Sequence, residues 1–356
     1  MSERLVIVTD AWMPQVNGVV RTFQNLIGEL EGRGREIELI SPLDYRSAPM
    51  PSYPEIRLAL TRPKSVLARL EALQPAYIHI ATEGPLGIMA RRACLKRGWA
   101  FTTSFHTRFP EYLRERAPVP LGLTYGWLRR FHAAATHCLV PTQSISDELA
   151  RRGFDNLRVW TRGVDRTLFR PRQGADLGLP RPVFASIGRL AVEKNVEAFL
   201  DLDLPGSKLV VGDGPARASL EKRFPEAHFV GAKVGEDLAF HYAASDVFVF
   251  PSRTDTFGLV LLEAIASGLP VAAFPVPGPL DVIGATGAGV LDADLRAASL
   301  AALAMGRIDP DKALGGFTWQ ACADIFEDIL TPIIDRASAG ASVSLAPRGV
   351  STPKIA

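Results

Sequence analysis

Residues 251–273 read PSRTDTFGLVLLEAIASGLPVAA, and their reading decides the fold. Before them stands Asp246-Val-Phe-Val-Phe250, a short aromatic and β-branched run suited to a strand buried on both faces. Ser252–Thr256 is a polar turn. From about Gly258 to Ser267 the pattern predicts a helix, stopped by Gly268 with Pro270 just beyond. Pro270–Phe274 opens the next strand. Asp255 stands at the helix entrance and Glu263 eight residues on, a little over two turns, so both can share one edge of a cleft. The backbone N–H groups of Phe257, Gly258 and Leu259 fall at the unpaired helix N-terminus and can bind ligand oxygens. The plainer alternative is an Asp cap followed by an exposed helical Glu.

The chain around this unit has 356 residues, enough for two domains with ample cores. It contains no run of 18 apolar residues, so no membrane-crossing helix is expected. Leu5–Thr9 reads as a strand close to the start, with no leader sequence visible before it. Cys94, Cys138 and Cys322 lack metal-site spacing and read as reduced thiols of a cytosolic protein. Through Gly163 there are 22 Lys and Arg against 15 Asp and Glu, and beyond it 18 against 23, so a +7 half precedes a −5 half. A basic half attracts anions: a nucleotide diphosphate, an anionic membrane surface or nucleic acid. No nucleic-acid-binding motif supports the last of these.

Strand and helix patterns alternate throughout, which argues for parallel sheets. In the first half, strands are expected at Leu5–Thr9, Glu36–Ser41, Tyr77–Ala81, Ala100–Ser104, His137–Pro141 and Leu157–Thr161. Helices are expected over Asn17–Arg33, over Gly87–Arg97, and from a Ser144 cap to about Gly153. The second half restarts at Val183–Ile187 and continues with Ser207–Val211, His228–Val230, Asp246–Phe250 and Val271–Phe274. The fold class is α/β, two Rossmann-like domains facing a cleft with their strand C-termini toward it. The expected divisions are residues 1–165, a linker at 166–182, a second domain at 183–316, a helix at 317–336 and a disordered tail at 337–356.

Several candidates sit directly after strands. Arg189 and Lys194, in Gly188-Arg-Leu-Ala-Val-Glu-Lys-Asn195, put two cations at a sheet edge where a phosphate can lie. They can equally be two solvated surface cations. Gly18, in Pro14-Gln-Val-Asn-Gly-Val-Val20, permits close backbone approach at a helix start, or merely begins the helix. His106 follows Ala100–Ser104, although a lone His is most often a satisfied structural residue. Glu83 can contact a ligand or cap the next helix. Gly212-Asp-Gly-Pro215 reads as a structural turn. Between Arg108 and His132, Arg108, Arg114, Arg116, Arg129 and Arg130 mix with Phe109, Tyr112, Tyr125, Trp127 and Phe131. That mixture suits an anionic membrane interface, or an ordinary surface helix with a core stripe.

The 251–273 stretch resembles the acid-x7-acid signature of the retaining family 4 glycosyltransferases of GT-B fold. The family commonly has Glu-x-Phe-Gly; here Asp255 stands first, in Asp-Thr-Phe-Gly. Gly-Arg-Leu…Glu-Lys-Asn at 188–195 is a second match, and the glycine loop at Gly18 a third. Together with Thr-Glu-Gly-Pro-Leu-Gly and Ser-Phe-His-Thr-Arg-Phe-Pro, they resemble most the branch of α-mannosyltransferases and diacylglycerol or sulfoquinovosyl transferases. The resemblance covers the chain to about Asp335.

It implies transfer of a hexose from a nucleotide diphosphate sugar donor to a hydroxyl acceptor, here expected to be a membrane lipid. Glu263 would bind the donor ribose. Asp255 and the N–H groups of Phe257, Gly258 and Leu259 would hold sugar hydroxyls, and His106 would contact the donor sugar. Arg189 and Lys194 would hold the departing diphosphate, with no obligatory metal or other cofactor. The backbone of Val230-Gly-Ala-Lys233 would read the base. Peripheral binding to the inner face of the cell membrane is expected. The alternatives are a GT-B epimerase or phosphorylase, or a non-catalytic nucleotide-sugar-binding protein.

Overall fold

The structure, a computed structural model, describes residues 3–15, 17–50, 53–116 and 119–333. The expected tail at 337–356 lies outside them. Fourteen strands are present among the described residues, six in each of two parallel sheets and two in a hairpin. The first sheet takes the order β2 (Ile37–Ile40), β1 (Leu5–Val8), β5 (Tyr77–Ile80), β6 (Thr102–Ser104), β7 (Cys138–Val140) and β8 (Leu157–Val159). The second takes β11 (His228–Phe229), β10 (Ser207–Val211), β9 (Val183–Ile187), β12 (Val247–Phe250), β13 (Val271–Ala273) and β14 (Gly289–Leu291). Counted within its own half, the second order is 3-2-1-4-5-6, the doubly wound arrangement. Chain direction across each sheet reverses beside its first strand, and the crevice at that switch point opens at the strand C-termini.

The strand sequences explain the layering. Successive side chains of a strand point to opposite faces. Val183, Ala185 and Ile187 of β9 therefore join one core layer with Phe248 and Phe250 of β12. Phe184, Val247 and Val249 join the layer on the other face. Every residue of β1, β9 and β12 is buried, as central strands covered by helices on both sides require.

Three local expectations are corrected. The helix after β7 spans Gln143–Arg151, and its cap is Thr142, whose hydroxyl accepts from the Ile145 N–H at 3.3 Å. Ser144 instead sends its own N–H to Asp281 at 3.1 Å. The helix of the opening stretch starts one residue later than its glycine, at Leu259–Ala266. A hairpin, β3 (Ser47–Met50) with β4 (Tyr53–Ala59), occupies a region with no strand expected.

The Trp319–Ile329 helix returns to the first sheet. Cys322, Ala323 and Phe326 are fully buried against Leu5, Ile7, Phe23, Leu26 and Trp160. The Trp160 indole N–H donates to the Cys322 carbonyl at 2.9 Å. Arg35 ties the helix from outside through Glu327 at 2.9 Å.

Candidate active site

The loops after β9 and β12 are stapled together. The Asn195 amide donates to the Pro251 carbonyl at 3.0 Å, and the Thr254 hydroxyl to the Glu193 carbonyl at 3.3 Å. This brings Lys194 Nζ within 2.5 Å of Asp255 Oδ1. Burial opposes the charge on Lys194, yet Asp255 holds its ammonium above the ordinary value. An ammonium has three donors, so two remain for another partner. Asp255 Oδ2 is buried and has no hydrogen-bond partner. Arg189 pairs with Glu193 in the same loop. Both expected cations thus lie at the sheet edge, each beside an acid rather than free in solvent.

Asp255 is not a helix cap. Three residues separate it from Leu259, and the cap position belongs to Gly258, at φ 85° with no side-chain hydrogen bond. That left-handed backbone favours glycine, and a Cβ there would meet the Leu261 side chain at 3.1 Å. No side chain caps the start of the Leu259–Ala266 helix. Phe257 is buried, its ring edge-on to Phe317.

Glu263 lies inside the helix, its side chain 7% exposed. This excludes the plainer reading of an exposed helical Glu. One carboxylate oxygen takes Arg21 Nη1 at 2.8 Å, and the other takes the Tyr242 hydroxyl at 2.9 Å. Burial pushes its carboxyl up, while Arg21 and Tyr242 pull it back. Arg21 belongs to the Gly18–Gly32 helix of the other sheet, which Asn17 caps by accepting from the Val19 and Val20 N–H groups. A Cβ on Gly18 would stand 4.0 Å from the Leu259 side chain, so two helix starts approach each other here.

Across the crevice, His106 follows β6. Arg162 donates to its Nδ1 at 3.4 Å, which leaves the ring proton on Nε2. Nε2 is buried without a partner. Burial, then the charge of Arg162, holds His106 well below the ordinary histidine range, so the ring is neutral. Arg162 is itself 3% exposed, lies 4.0 Å over the Trp160 ring and donates to the Thr161 carbonyl at 3.0 Å. Burial lowers its pKa to about 10. Tyr112, from the Phe109–Arg116 helix, hydrogen-bonds Thr254 and faces Asp255 and Lys194.

Arg21, Tyr112, Arg162 and Tyr242 carry this geometry and none was singled out for the site from sequence. Arg162 offered the same signal as His106, a polar residue just beyond a strand; Arg21 offered none, because its partner is on the other domain.

Glu83 does not cap the next helix. Asp10 does so, its carboxylate accepting from Leu86 N at 2.8 Å and Gly87 N at 3.1 Å. Glu83 accepts instead from buried His132 at 3.1 Å. The turn at Gly212 is structural: a Cβ there would fall 1.8 Å from the Gly188 carbonyl oxygen. Val230 and Gly231 close β11 beside it, the Gly231 carbonyl accepting from the Gly212 N–H at 2.8 Å.

The Arg-aromatic segment forms two helices, Phe109–Arg116 and Leu121–His132. Tyr125 and Phe131 are buried, and Arg108 is taken by Glu148. Phe109, Leu123 and Trp127 are 45%, 70% and 43% exposed, with Arg114, Arg129 and Arg130 exposed near them. Phe109, Leu113, Leu123, Thr124 and Trp127 line an apolar groove of about 290 Å³.

Comparison with known proteins places this arrangement. Residues 16–168 match the model of Glycosyltransferase Family 4, and residues 181–305 that of Glycosyl transferases group 1. The chain is 31% identical to a GDP-mannose-dependent alpha-mannosyltransferase of Mycobacterium tuberculosis, over 79% of this chain and 81% of that one. It is 32% identical to the sulfoquinovosyl transferase SQD2 of Arabidopsis thaliana, over 75% and 58% of the two chains. Among solved structures, the sucrose-phosphate synthase of Thermosynechococcus elongatus superposes with a TM-score of 0.72 at 19% identity, over 92% of this chain and 98% of that one. The chain belongs to glycosyltransferase family 4, the retaining enzymes of GT-B fold, and is a glycosyltransferase.

Proposed function

We propose that the enzyme transfers a hexose from a nucleotide diphosphate sugar to a hydroxyl of a membrane lipid, with retention at the sugar carbon. The observation that carries this reading is the Lys194–Asp255 pair, whose second carboxylate oxygen is buried without a partner. The donor phosphates take the two remaining N–H bonds of Lys194, the fork of Arg189 and the N–H groups at Gly258 and Leu259. Glu263 accepts from ribose hydroxyls. Asp255 Oδ2 accepts from a sugar hydroxyl, and the His106 Nε2–H donates to another. The bond from the sugar carbon to phosphate oxygen breaks and its electron pair goes to the diphosphate. The acceptor oxygen bonds the same carbon on the same face, and its proton passes to the departing phosphate oxygen. Charge developing on the leaving group meets cations already in place, the arrangement that lowers such barriers most.

The lipid acceptor rests on the apolar groove. Phe109 and Leu113, one turn apart, face it, and Tyr112 on the same helix faces the Lys194–Asp255 pair. The same short helix thus joins the apolar groove to the Lys194–Asp255 pair. Alpha-monoglucosyldiacylglycerol synthases of Acholeplasma laidlawii and Streptococcus pneumoniae are relatives at 25% and 26% identity. The groove, with Arg114, Arg129 and Arg130 around it, also suits peripheral contact with an anionic leaflet. Incubating the purified enzyme with a panel of GDP- and UDP-hexoses and total lipid extract, read by mass spectrometry, tests the proposal. A hexosylated lipid supports it; hexosylation of water-soluble acceptors alone rejects the lipid reading.

A further inference from the structure

We infer that Arg21, on the acceptor-side domain, is a positioning residue for the donor: it holds Glu263 as a carboxylate and so makes donor capture depend on the two domains being together. The inference rests on the reading of Glu263 as the ribose-binding group.

The geometry is a buried acid whose counter-charge comes from the opposite domain. Glu263 is 7% exposed, and Arg21, 35% exposed, reaches it at 2.8 Å from across the crevice. The ionisable groups that face Glu263 are Arg21 from the Gly18–Gly32 helix and Tyr242 from the Gly235–Ala244 helix. Tyr242 is fully buried, and its phenol is held well above its ordinary range by burial and by Glu263, so it stays an uncharged donor. Arg21 is therefore the positive charge that offsets the burial of the carboxylate. Without it, Glu263 takes a proton at a pH nearer neutrality. A protonated carboxyl has one oxygen turned into a donor and accepts poorly from two adjacent ribose hydroxyls. The start of the Arg21 helix lies beside that of the Glu263 helix, a Cβ on Gly18 falling 4.0 Å from the Leu259 side chain. When the domains part, Arg21 leaves with its helix and the ribose site loses its charge.

Two measurements test this. In the first, the carboxyl carbon of Glu263 is titrated by carbon-13 NMR in the free protein, the signal assigned with Glu263→Gln. Arg21→Gln should move the titration upward, and Arg21→Lys should leave it near wild type. In the second, GDP and UDP affinities are measured by calorimetry between about pH 6 and pH 9. For Arg21→Gln affinity should fall by about tenfold per unit of pH below the raised pKa and recover above it. Wild type and Arg21→Lys should keep their affinity to lower pH than Arg21→Gln does, and Glu263→Gln should bind weakly at every pH. Thermal unfolding of each variant identifies any that fails to fold, in which case Arg21→Lys against wild type carries the comparison. A Glu263 titration unmoved by Arg21→Gln overturns the inference. A titration that moves while nucleotide affinity does not follow supports the charge-holding role and overturns the ribose reading instead.

Discussion

The Thr256 hydroxyl donates to the His106 carbonyl at 2.6 Å, which ties the loop carrying Asp255 to the loop carrying His106. Because the bond joins the two domains, it sets how far the His106 Nε2–H stands from a sugar bound at Asp255. Thr256→Val keeps the shape and removes the donor. Leaving a partly buried carbonyl unpaired costs about 1–3 kcal/mol. The expected result is a fall in kcat/KM of about tenfold or more with a smaller change in nucleotide affinity, compared by steady-state kinetics and calorimetry. A kcat/KM within about twofold of wild type would show that this bond does not position His106.

His106 is neutral, so in the proposed role of hydrogen-bond donor to the sugar it adds no ionisation to the pH profile. Its pKa is depressed by burial and Arg162, hence it gains a proton only below the ordinary histidine range. His106→Gln retains an N–H and should lower kcat without changing the shape of the profile between about pH 6 and pH 9. An acid limb near about pH 6.5 that disappears in His106→Gln would contradict this assignment.

Charge neutralisation by Arg189, Lys194 and the helix start at Leu259 leads to the expectation that activity survives excess EDTA. Lys194→Ala should cost more than the chelator does, about 2–4 kcal/mol of transition-state stabilisation, because Asp255 is left buried without its partner. Activity abolished by EDTA and restored by magnesium or manganese would reject the metal-independent reading.

Membrane contact is tested by flotation with vesicles containing anionic lipid. Each basic side chain near such a surface contributes about 1 kcal/mol, an effect that fades with salt. Reversing Arg129 and Arg130 to Glu should weaken flotation by at least about thirtyfold, the effect of losing the two positive charges alone, while leaving nucleotide affinity unchanged. Wild type that stays at the bottom of the gradient at low salt would refute a peripheral membrane role.

The layout was legible in the sequence where one residue run carries its own signal. Val183–Ile187 apart from Ser186, Leu209–Val211 and Val247–Phe250 are apolar because helices cover both faces, and a short apolar run after a turn has few other uses. The β3–β4 hairpin was not legible, as Pro49 and Pro54 interrupt it and the polar–apolar alternation is confined to Glu55–Leu58. Within the site, Lys194 and Asp255 stood out through their local motifs. Arg21 with Glu263 and Tyr112 with Thr254 are pairs set by how two domains meet, and no local spacing encodes that. Thr142 and Ser144 show a smaller version: both hydroxyls fit a cap, and Asp281 from the other domain takes the Ser144 N–H.

The Trp319–Ile329 helix has a consequence for how this protein comes off the ribosome. Phe326 and Cys322 fill the layer under β1, where Leu5, Ile7 and Trp160 wait for them. The N-terminal domain is therefore begun first and completed last. At synthesis rates of roughly 5–20 residues per second, its apolar face stays open for on the order of ten to thirty seconds while the second domain is made. During that interval the nascent chain depends on chaperone cover or on non-native collapse, and the second domain finishes folding before the first.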